Sequence, residues 1–266
     1  MSGVIDFHTH AFADDLAERA MTHLSHASKG VVACHDGRLS SLLKSMDTAG
    51  IEKSVICPIA TKPKQFDGIF SWCQQIRSER IIPFPSIHPD DPLCLERIRL
   101  IKNDGFKGIK LHPYYQDFTI DDPKLSDIYK TAYELDLMVV MHTGYDIAFE
   151  FDDRASPERI AAIYRDFPGL KFIATHFGGW AVWDEAEKYL IGKPVYMEIS
   201  FSLTYLEKAQ ARRMLLNHPP KYLLFGTDSP WQDQKLTIQL LKEMKLPAET
   251  ENMILRENAK RLLAEI

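Results

Sequence analysis

The sequence predicts a closed (β/α)₈ barrel that forms a single domain over residues 1–266. Eight short runs rich in Val, Ile, Leu and Phe recur along the chain, and the segments between them show the helical spacing of apolar residues. Strands that are apolar on both faces are typical of a parallel sheet covered by helices. Eight such units favour a closed barrel over an open doubly wound sheet, which is the alternative arrangement of the same units.

The predicted strands are separated by roughly the length of one βα unit. In chain order they are VIDFHTH (4–10), KSVICPI (53–59), IIPFPSIH (81–88), FKGIKLH (106–112), LMVVMHT (137–143), LKFIATH (170–176), PVYMEIS (194–200) and YLLFGTD (222–228). Helix start signals lie between them, as at Ser156-Pro157, where a capping residue precedes a proline suited to the first turn. The segment that follows carries Ile160, Ile163 and Phe167 on one face, as a covering helix requires.

The connection between the first two predicted strands is the longest, and we interpret residues 11–37 as an inserted loop or lid. In a barrel, this connection lies on the face where the catalytic loops gather. The insertion contains His23, His26 and His35. The alternative interpretation is a solvated loop whose histidines have no function.

Charge and composition exclude several classes of partner. The formal net charge is −5 and the basic residues are scattered, so neither nucleic acid nor an anionic membrane is an expected partner. No stretch approaches the eighteen consecutive apolar residues that a membrane-spanning helix needs. The first residues do not resemble a secretory leader, and the four cysteines lack CxxC spacing. We therefore expect a cytoplasmic protein that acts on a small molecule.

The predicted strands end in residues that bind metals or transfer protons. His8 and His10 are two positions apart on the first strand, so their side chains are expected on the same face. The ends of the later strands carry Lys110, His112, His142, His176 and Asp228. The carboxyl ends of barrel strands form the catalytic face, and neutral imidazoles with a carboxylate are ligands that suit Zn²⁺. The sequence therefore predicts a divalent metal site at this face.

Six motifs resemble the amidohydrolase superfamily: DFHTH, GIKLHP, MHTG, THFGG, FGTDSP and ENAKRLL. The chain is most similar to the branch that includes aminocarboxymuconate-semialdehyde decarboxylase and many metal-dependent hydrolases. This resemblance implies one divalent ion, zinc in most members, held by His8, His10, His142 and Asp228. It also implies that His176 is a catalytic acid/base or electrostatic stabiliser, that Asp228 accepts a proton, and that a homodimer is a form the protein could adopt.

Lys110 and His112 keep more than one interpretation. Other branches of the superfamily use a carbamylated lysine on the fourth strand to bridge two ions, and a second ion would then be held by His142 and His176. Lys110 could equally bind a substrate carboxylate or pair with an acid such as Glu198. His112 could line the substrate pocket or support a ligand by a hydrogen bond.

Three functions are compatible with these residues. The first is a metal-dependent hydrolase that uses a metal-activated water on a small amide, ester or lactone. The alternative is a metal-dependent, non-oxidative decarboxylase of the same fold. The third is a barrel that binds a small molecule or metal without catalysis, which an open metal site in a pocket disfavours.

Overall fold

The structure is a computed structural model that describes residues 3–264, in which eight parallel strands alternate with helices. The strands are β1 (Val4–Thr9), β2 (Ile51–Ile56), β3 (Ile81–Pro83), β4 (Gly108–Leu111), β5 (Met138–Met141), β6 (Phe172–Ala174), β7 (Tyr196–Glu198) and β8 (Leu223–Leu224). The helices are α1 (Asp14–Ala27), α2 (Leu39–Ala49), α3 (Phe66–Ile76), α4 (Cys94–Asn103), α5 (Ser126–Glu134), α6 (Pro157–Asp166), α7 (Trp183–Tyr189), α8 (Lys208–Asn217), α9 (Gln234–Glu243), α10 (Ala248–Asn252) and α11 (Asn258–Ala264). Seven of the eight strands lie within their predicted runs, and β2 begins two residues before its run at 53–59.

Hydrogen bonds beyond the regular ladders close the sheet into a barrel. Regular hydrogen-bond ladders form two groups of neighbouring strands, β1-β2-β3 and β4-β5-β6-β7-β8. Between these two groups, the Lys110 amide donates to the Pro85 carbonyl over 3.1 Å, and the Phe7 amide donates to the Phe225 carbonyl over 2.8 Å. The predicted (β/α)₈ barrel is therefore confirmed.

Alternation along the strands divides the core into two layers. On β5, Met138 and Val140 belong to an inner apolar cluster, whereas Val139 and Met141 pack in the larger cluster that includes the helices. His142 continues the two-residue period of the inner side and is buried. The apolar inner layer thus forms a packed floor on which the polar residues at the strand ends lie.

A register shift in β1 changes how its residues are presented. Asp6 pairs with Ser54 and Thr9 pairs with Ile56, so β1 contains one residue more than β2 over this stretch. Phe7 packs against Phe84 in the inner apolar cluster, with ring centroids 5.9 Å apart. The next residue, His8, is also buried and reaches the polar groups of the site. Simple alternation would have placed these two neighbours on opposite faces.

Asp6 connects β1 to the segment after β8. Its carboxylate accepts hydrogen bonds from the Thr227 hydroxyl over 2.6 Å, the Gln234 side chain over 2.8 Å and the Thr227 amide over 3.1 Å. Burial raises the pKa of Asp6 to about 7, although these donors oppose the shift. Asp6 therefore supports the first strand by fixing it to the FGTD segment that carries Asp228.

The insertion at 11–37 contains α1, whose 14 residues include only two buried ones, Ala17 and Met21. A hydrogen bond of 2.9 Å from the Phe12 amide to the Gly37 carbonyl closes the base of the insertion. Most of the helix therefore lies over the barrel instead of contributing to its core. Among residues 3–264, no helix combines the length and hydropathy needed to cross a membrane.

Candidate metal centre

The carboxyl ends of the strands surround a cavity of about 1100 Å³. Five of the predicted site residues line it: His10, His112, His142, His176 and Asp228. His8 and Lys110 are fully buried beside them. The structure thus brings all seven residues to one end of the barrel, where parallel strands finish together.

His8, His10 and Asp228 form the first group of candidate ligands. Asp228 Oδ1 lies 3.0 Å from His10 Nε2 and 3.5 Å from His8 Nε2. The three ligand atoms all lie within 4.8 Å of one another. Because zinc lies about 2.1 Å from nitrogen and oxygen ligands, neighbouring ligand atoms in one shell are about 3 Å apart. The spacing of this group fits a shared divalent cation.

Glu198, at the end of β7, determines the protonation of His8. Its Oε1 lies 3.0 Å from His8 Nδ1. The Glu198 oxygens also accept backbone amides, Oε1 from His176 over 3.1 Å and Oε2 from Ser200 over 2.6 Å. Burial raises the pKa of Glu198 to about 8, but a proton on either oxygen would forfeit one of these hydrogen bonds, so we assign Glu198 as the acceptor. His8 therefore donates from Nδ1, and the Nε2 lone pair faces Asp228.

Glu198 fits in this position because residue 226 is glycine. A Cβ atom at Gly226 would lie 2.2 Å from Glu198 Oε2 and 3.2 Å from the Cβ of His8. The first separation is far shorter than a van der Waals contact, and the second is tighter than an ordinary one. An alanine at this position would therefore displace Glu198. The glycine of the FGTD motif thus leaves space for the carboxylate that orients His8.

His142 and His176 form a second pair of candidate ligands. His142 Nε2 lies 3.4 Å from the Tyr145 carbonyl oxygen, and His176 Nδ1 lies 3.2 Å from the Ser200 carbonyl oxygen. Carbonyl oxygens only accept, so we assign the imidazole protons to these two nitrogens. His142 Nδ1 and His176 Nε2 then face each other as lone pairs 3.1 Å apart. Two facing lone pairs repel unless a cation lies near both, so this pair also fits a metal ligand role.

Lys110 lies inside the same polar cluster. Its Nζ is 3.1 Å from His8 Nε2, and the side chain is fully buried. Burial lowers the pKa of this lysine, while the nearby carboxylates of Asp228 and Glu198 oppose the shift. Within residues 3–264 there is no ion pair between Lys110 and Glu198, so the pairing considered from the sequence does not form.

The buried imidazoles are held neutral, which is the form that binds metals. Burial lowers the pKa of His8, His112 and His142 well below the usual imidazole range. Burial also lowers the pKa of His176 to about 4. The positive charge of Lys110 acts in the same direction on all four groups.

The backbone is strained at the two residues predicted to be catalytic. His176 has φ of +54° and Asp228 has φ of +64°, both in the left-handed region that non-glycine residues rarely adopt. Such conformations cost on the order of 1–3 kcal/mol each and persist where the surroundings hold them. The Asp228 amide, for example, donates to the His8 carbonyl over 2.8 Å. The fold therefore fixes the direction of both side chains.

Sequence reasoning did not identify Asp146, which lines the cavity beside His112. Asp146 Oδ2 lies 3.2 Å from His112 Nε2 and 3.9 Å from His142 Nε2. The His112 and His142 rings stack with centroids 4.1 Å apart. His112 therefore both lines the pocket and supports a candidate ligand. The only sequence signal for Asp146 was its place four residues after His142, in the loop that follows β5.

Three aromatic rings form one wall of the cavity: Tyr145, Trp180 and Phe201. Tyr145 and Trp180 stack with their planes 30° apart and their centroids separated by 5.7 Å. Trp180 and Phe201 are tilted, with centroids 6.2 Å apart. Trp180 is therefore part of the cavity wall. A Cβ at Gly144 would lie 2.1 Å from the Trp180 amide nitrogen, so the glycine of MHTG lets this wall approach the site.

The histidines of the insertion lie in different environments. His23 lines the cavity. His35 Nδ1 accepts the Gly37 amide, so its Nε2 donates to the Ser229 hydroxyl over 3.0 Å, next to Asp228. His26 is exposed and lies in a separate surface pocket. Two of these three side chains thus face the catalytic end of the barrel.

Solved structures of other proteins share this fold. An uncharacterised TIM-barrel protein from Bordetella bronchiseptica aligns over 99% of both chains, with 21% identity and a TM-score of 0.82. A 5-carboxyvanillate decarboxylase from Sphingomonas paucimobilis aligns over 99% of both chains, with 14% identity and a TM-score of 0.68. A dihydroxybenzoic acid decarboxylase from a Polaromonas species, with bound manganese and the inhibitor 2-nitroresorcinol, aligns over 99% of this chain and 97% of its own, with 14% identity and a TM-score of 0.73.

The family assignment rests on nearly the whole sequence. No curated protein matches the chain significantly. The family model described as amidohydrolase matches residues 5–264, which include every strand but the first residue of β1 and all the candidate ligands. The protein is therefore an enzyme of the amidohydrolase superfamily.

Proposed function

We propose that the enzyme is a metal-dependent, non-oxidative decarboxylase of a small aromatic carboxylic acid. The observation that carries this proposal is the aromatic wall of Tyr145, Trp180 and Phe201, which lines the same cavity as the candidate ligands. A planar ring can stack on such a wall while its carboxylate reaches the metal centre. Two of the structural neighbours described above are named as decarboxylases of aromatic acids, which supports the same choice.

The candidate ligands for the metal are His8, His10, His142 and Asp228, with His176 opposite His142. We expect one divalent ion, most simply Zn²⁺, although this donor set also suits Mn²⁺, which the Polaromonas enzyme binds. When bound, the ion would supply positive charge that holds the substrate carboxylate and stabilises developing negative charge. Glu198 keeps the His8 lone pair directed at the site, and Ser200 does so for His176.

Decarboxylation requires one proton at the carbon that loses its carboxylate. The C–C bond breaks, CO₂ leaves, and the bonding electron pair stays on the ring carbon, which then takes a proton. Asp228 lines the cavity and can take up a proton from solvent before passing it to that carbon. His176, with its Nδ1 proton fixed on the Ser200 carbonyl, presents its Nε2 lone pair beside His142 Nδ1, where it would help to hold the ion.

Hydrolysis of a small amide, ester or lactone is the second candidate function. The observation in its favour is that Asp228 Oδ1 lies among the ligand nitrogens, 3.0 Å from His10 Nε2, where it could accept a proton from an attacking water. The sequence alone favours this function. The aromatic wall and the decarboxylase neighbours now favour the alternative.

The proposed lid is α1, which one lysine ties to the opposite side of the cavity. Lys29 Nζ donates to the Tyr145 hydroxyl and to the Phe149 carbonyl, each over 3.0 Å. Tyr145 belongs to the aromatic wall. Because α1 has few buried residues, its opening requires little loss of packing. Release of Lys29 would then open the cavity to substrate.

The decarboxylase proposal is tested with the metal-loaded enzyme and a panel of hydroxybenzoates, by measuring CO₂ release. We expect turnover that a chelator abolishes and that Zn²⁺ or Mn²⁺ restores. Asp228→Asn should lower kcat by at least a hundredfold, since proton transfer contributes about 10²–10⁴. Asp47→Asn, at an exposed aspartate that pairs with Arg80 on the barrel surface, is the matched control. Hydrolysis of lactones, esters or amides without any CO₂ release would refute the proposal in favour of the second candidate.

The role of Glu198 is tested by metal affinity in Gly226→Ala and Glu198→Gln. Each variant should weaken metal binding by about 10–100-fold, the usual effect of removing a residue that orients a ligand. Gly226→Ala is expected to act by displacing Glu198, so the two substitutions remove the same interaction. The double variant should therefore bind metal as tightly as the single variant with the lower affinity. Losses that add in the double variant would show that Gly226 acts by some other route.

The number of ions is tested by elemental analysis and intact mass measurement of the purified enzyme. We expect one ion per chain and an unmodified Lys110, whose amine lies near the His8 ligand atom. Two ions per chain together with the additional mass of a carbamate would establish the bridged site instead. Reloading the chelated enzyme under CO₂-free conditions serves as the control, because carbamylation requires CO₂.

The lid proposal is tested by hydrogen exchange in Lys29→Met. Loss of hydrogen bonds worth about 1 kcal/mol should speed amide exchange in α1 by about fivefold, while the helices of the barrel keep their rates. Lys124→Met, which removes an exposed pair with Asp90, is the control. Unchanged exchange in α1 would mean that Lys29 does not hold the insertion closed.

A further inference from the structure

The cavity continues outward from the metal centre into a groove between α1 and α3. Leu16, Ala20 and Leu24 line it from α1, at the spacing of one helix face. Ile69 and Trp72 line it from α3. At about 1100 Å³, the whole cavity is at the upper end of the range for pockets that hold drug-sized ligands, and a single aromatic ring would leave most of it empty.

The groove is lined by apolar side chains together with polar ones, among them Arg19 and His23 on α1 and Gln75 on α3, and the apolar side chains are incompletely covered by the protein itself. Leu16 is 43% exposed, although it lies on the cavity side of α1. Ile69 and Trp72 are only partly buried, against the outer layer of the core. The buried residues lie on the adjacent side of each helix, Ala17 and Met21 on α1 and Phe66 and Cys73 on α3. The apolar surface of each helix therefore continues from the core to the edge of the groove.

Gly68 provides an independent sign that the groove is open space. It lies within α3, lines the cavity, and a Cβ atom added there would meet no other atom within 4 Å. Glycine inside a helix is less favourable than alanine by about 0.5–1 kcal/mol. No neighbouring protein atom accounts for this glycine, and a side chain at this position would project into the groove.

We infer that the substrate carries an apolar alkyl or aryl extension that lies between α1 and α3 while its reacting group lies at the metal centre. The inference rests on the proposed function for the reacting group of the substrate. It adds the chemical class of the rest of the substrate molecule. Because the groove is continuous with the cavity of His142, His176 and Asp228, one molecule of extended shape can occupy both parts. An apolar extension is favoured because removing it from water is the main contribution that such walls can make.

The experiment uses the metal-loaded enzyme and the unreactive series benzoate to 4-n-hexylbenzoate, with dissociation constants measured by calorimetry. Burial of each added methylene should tighten binding about threefold to fourfold over the first several members. Gly68→Leu fills the groove and should flatten this dependence on chain length. Gln74→Leu makes the same kind of change on the exposed side of α3 and should leave the dependence intact.

A neutral series of 4-n-alkylphenols separates this inference from the proposed function. If benzoates do not bind but affinity for the phenols rises with chain length and depends on Gly68, the groove assignment stands and the decarboxylase proposal loses support. If benzoate binds but neither series shows a dependence on chain length, the groove assignment is overturned and the proposed function is unaffected. The groove assignment would also be overturned if the affinity of Gly68→Leu still rose with chain length, because the extension would then lie elsewhere.

Discussion

A buried carboxylate at the end of β7 determines which nitrogen of His8 faces the centre of the site. Glu198 receives hydrogen bonds from the backbone amides of His176 and Ser200, so it remains an acceptor toward His8 Nδ1. If this carboxylate were absent, the imidazole could exchange its tautomers, and its Nε2 would present a proton instead of a lone pair. The hydrogen bond also joins β1 to β7 across the barrel. Gly226, in the segment after β8, leaves the space that the contact requires.

The same arrangement recurs around the site with different partners. Ser200 fixes the proton of His176 through its carbonyl oxygen, and Tyr145 does the same for His142. As a result, several nitrogen lone pairs and the Asp228 carboxylate converge on one place. Among the described residues, the amine of Lys110 is the positively charged group that lies close to them. This excess of acceptors in a buried place is the physical reason for expecting a cation there. The strained backbone at His176 and Asp228 is consistent with residues held for that purpose.

The rigid and the variable parts of the cavity come from different parts of the chain. Its floor is the end of the barrel, where ladder hydrogen bonds and the apolar inner layer hold the candidate ligands in place. Its walls come from the connections: the insertion with α1, the segment leading into α3, and the loops that carry Asp146 and Trp180. Reactivity toward a carboxylate or carbonyl depends on the floor, whereas the shape of the accepted substrate depends on the walls.

The sequence by itself determined the eight strands, the catalytic end of the barrel and the seven strand-end residues, because buried parallel strands are continuous apolar runs and their polar ends stand out. It did not reveal that β1 contains an extra residue, which brings both Phe7 and His8 inward, since alternation cannot be counted through a bulge. It also missed Asp146 and the orienting role of Glu198 toward His8. Only the tertiary structure decided these, because loop residues and residues 190 positions apart in the chain meet only when the barrel has closed.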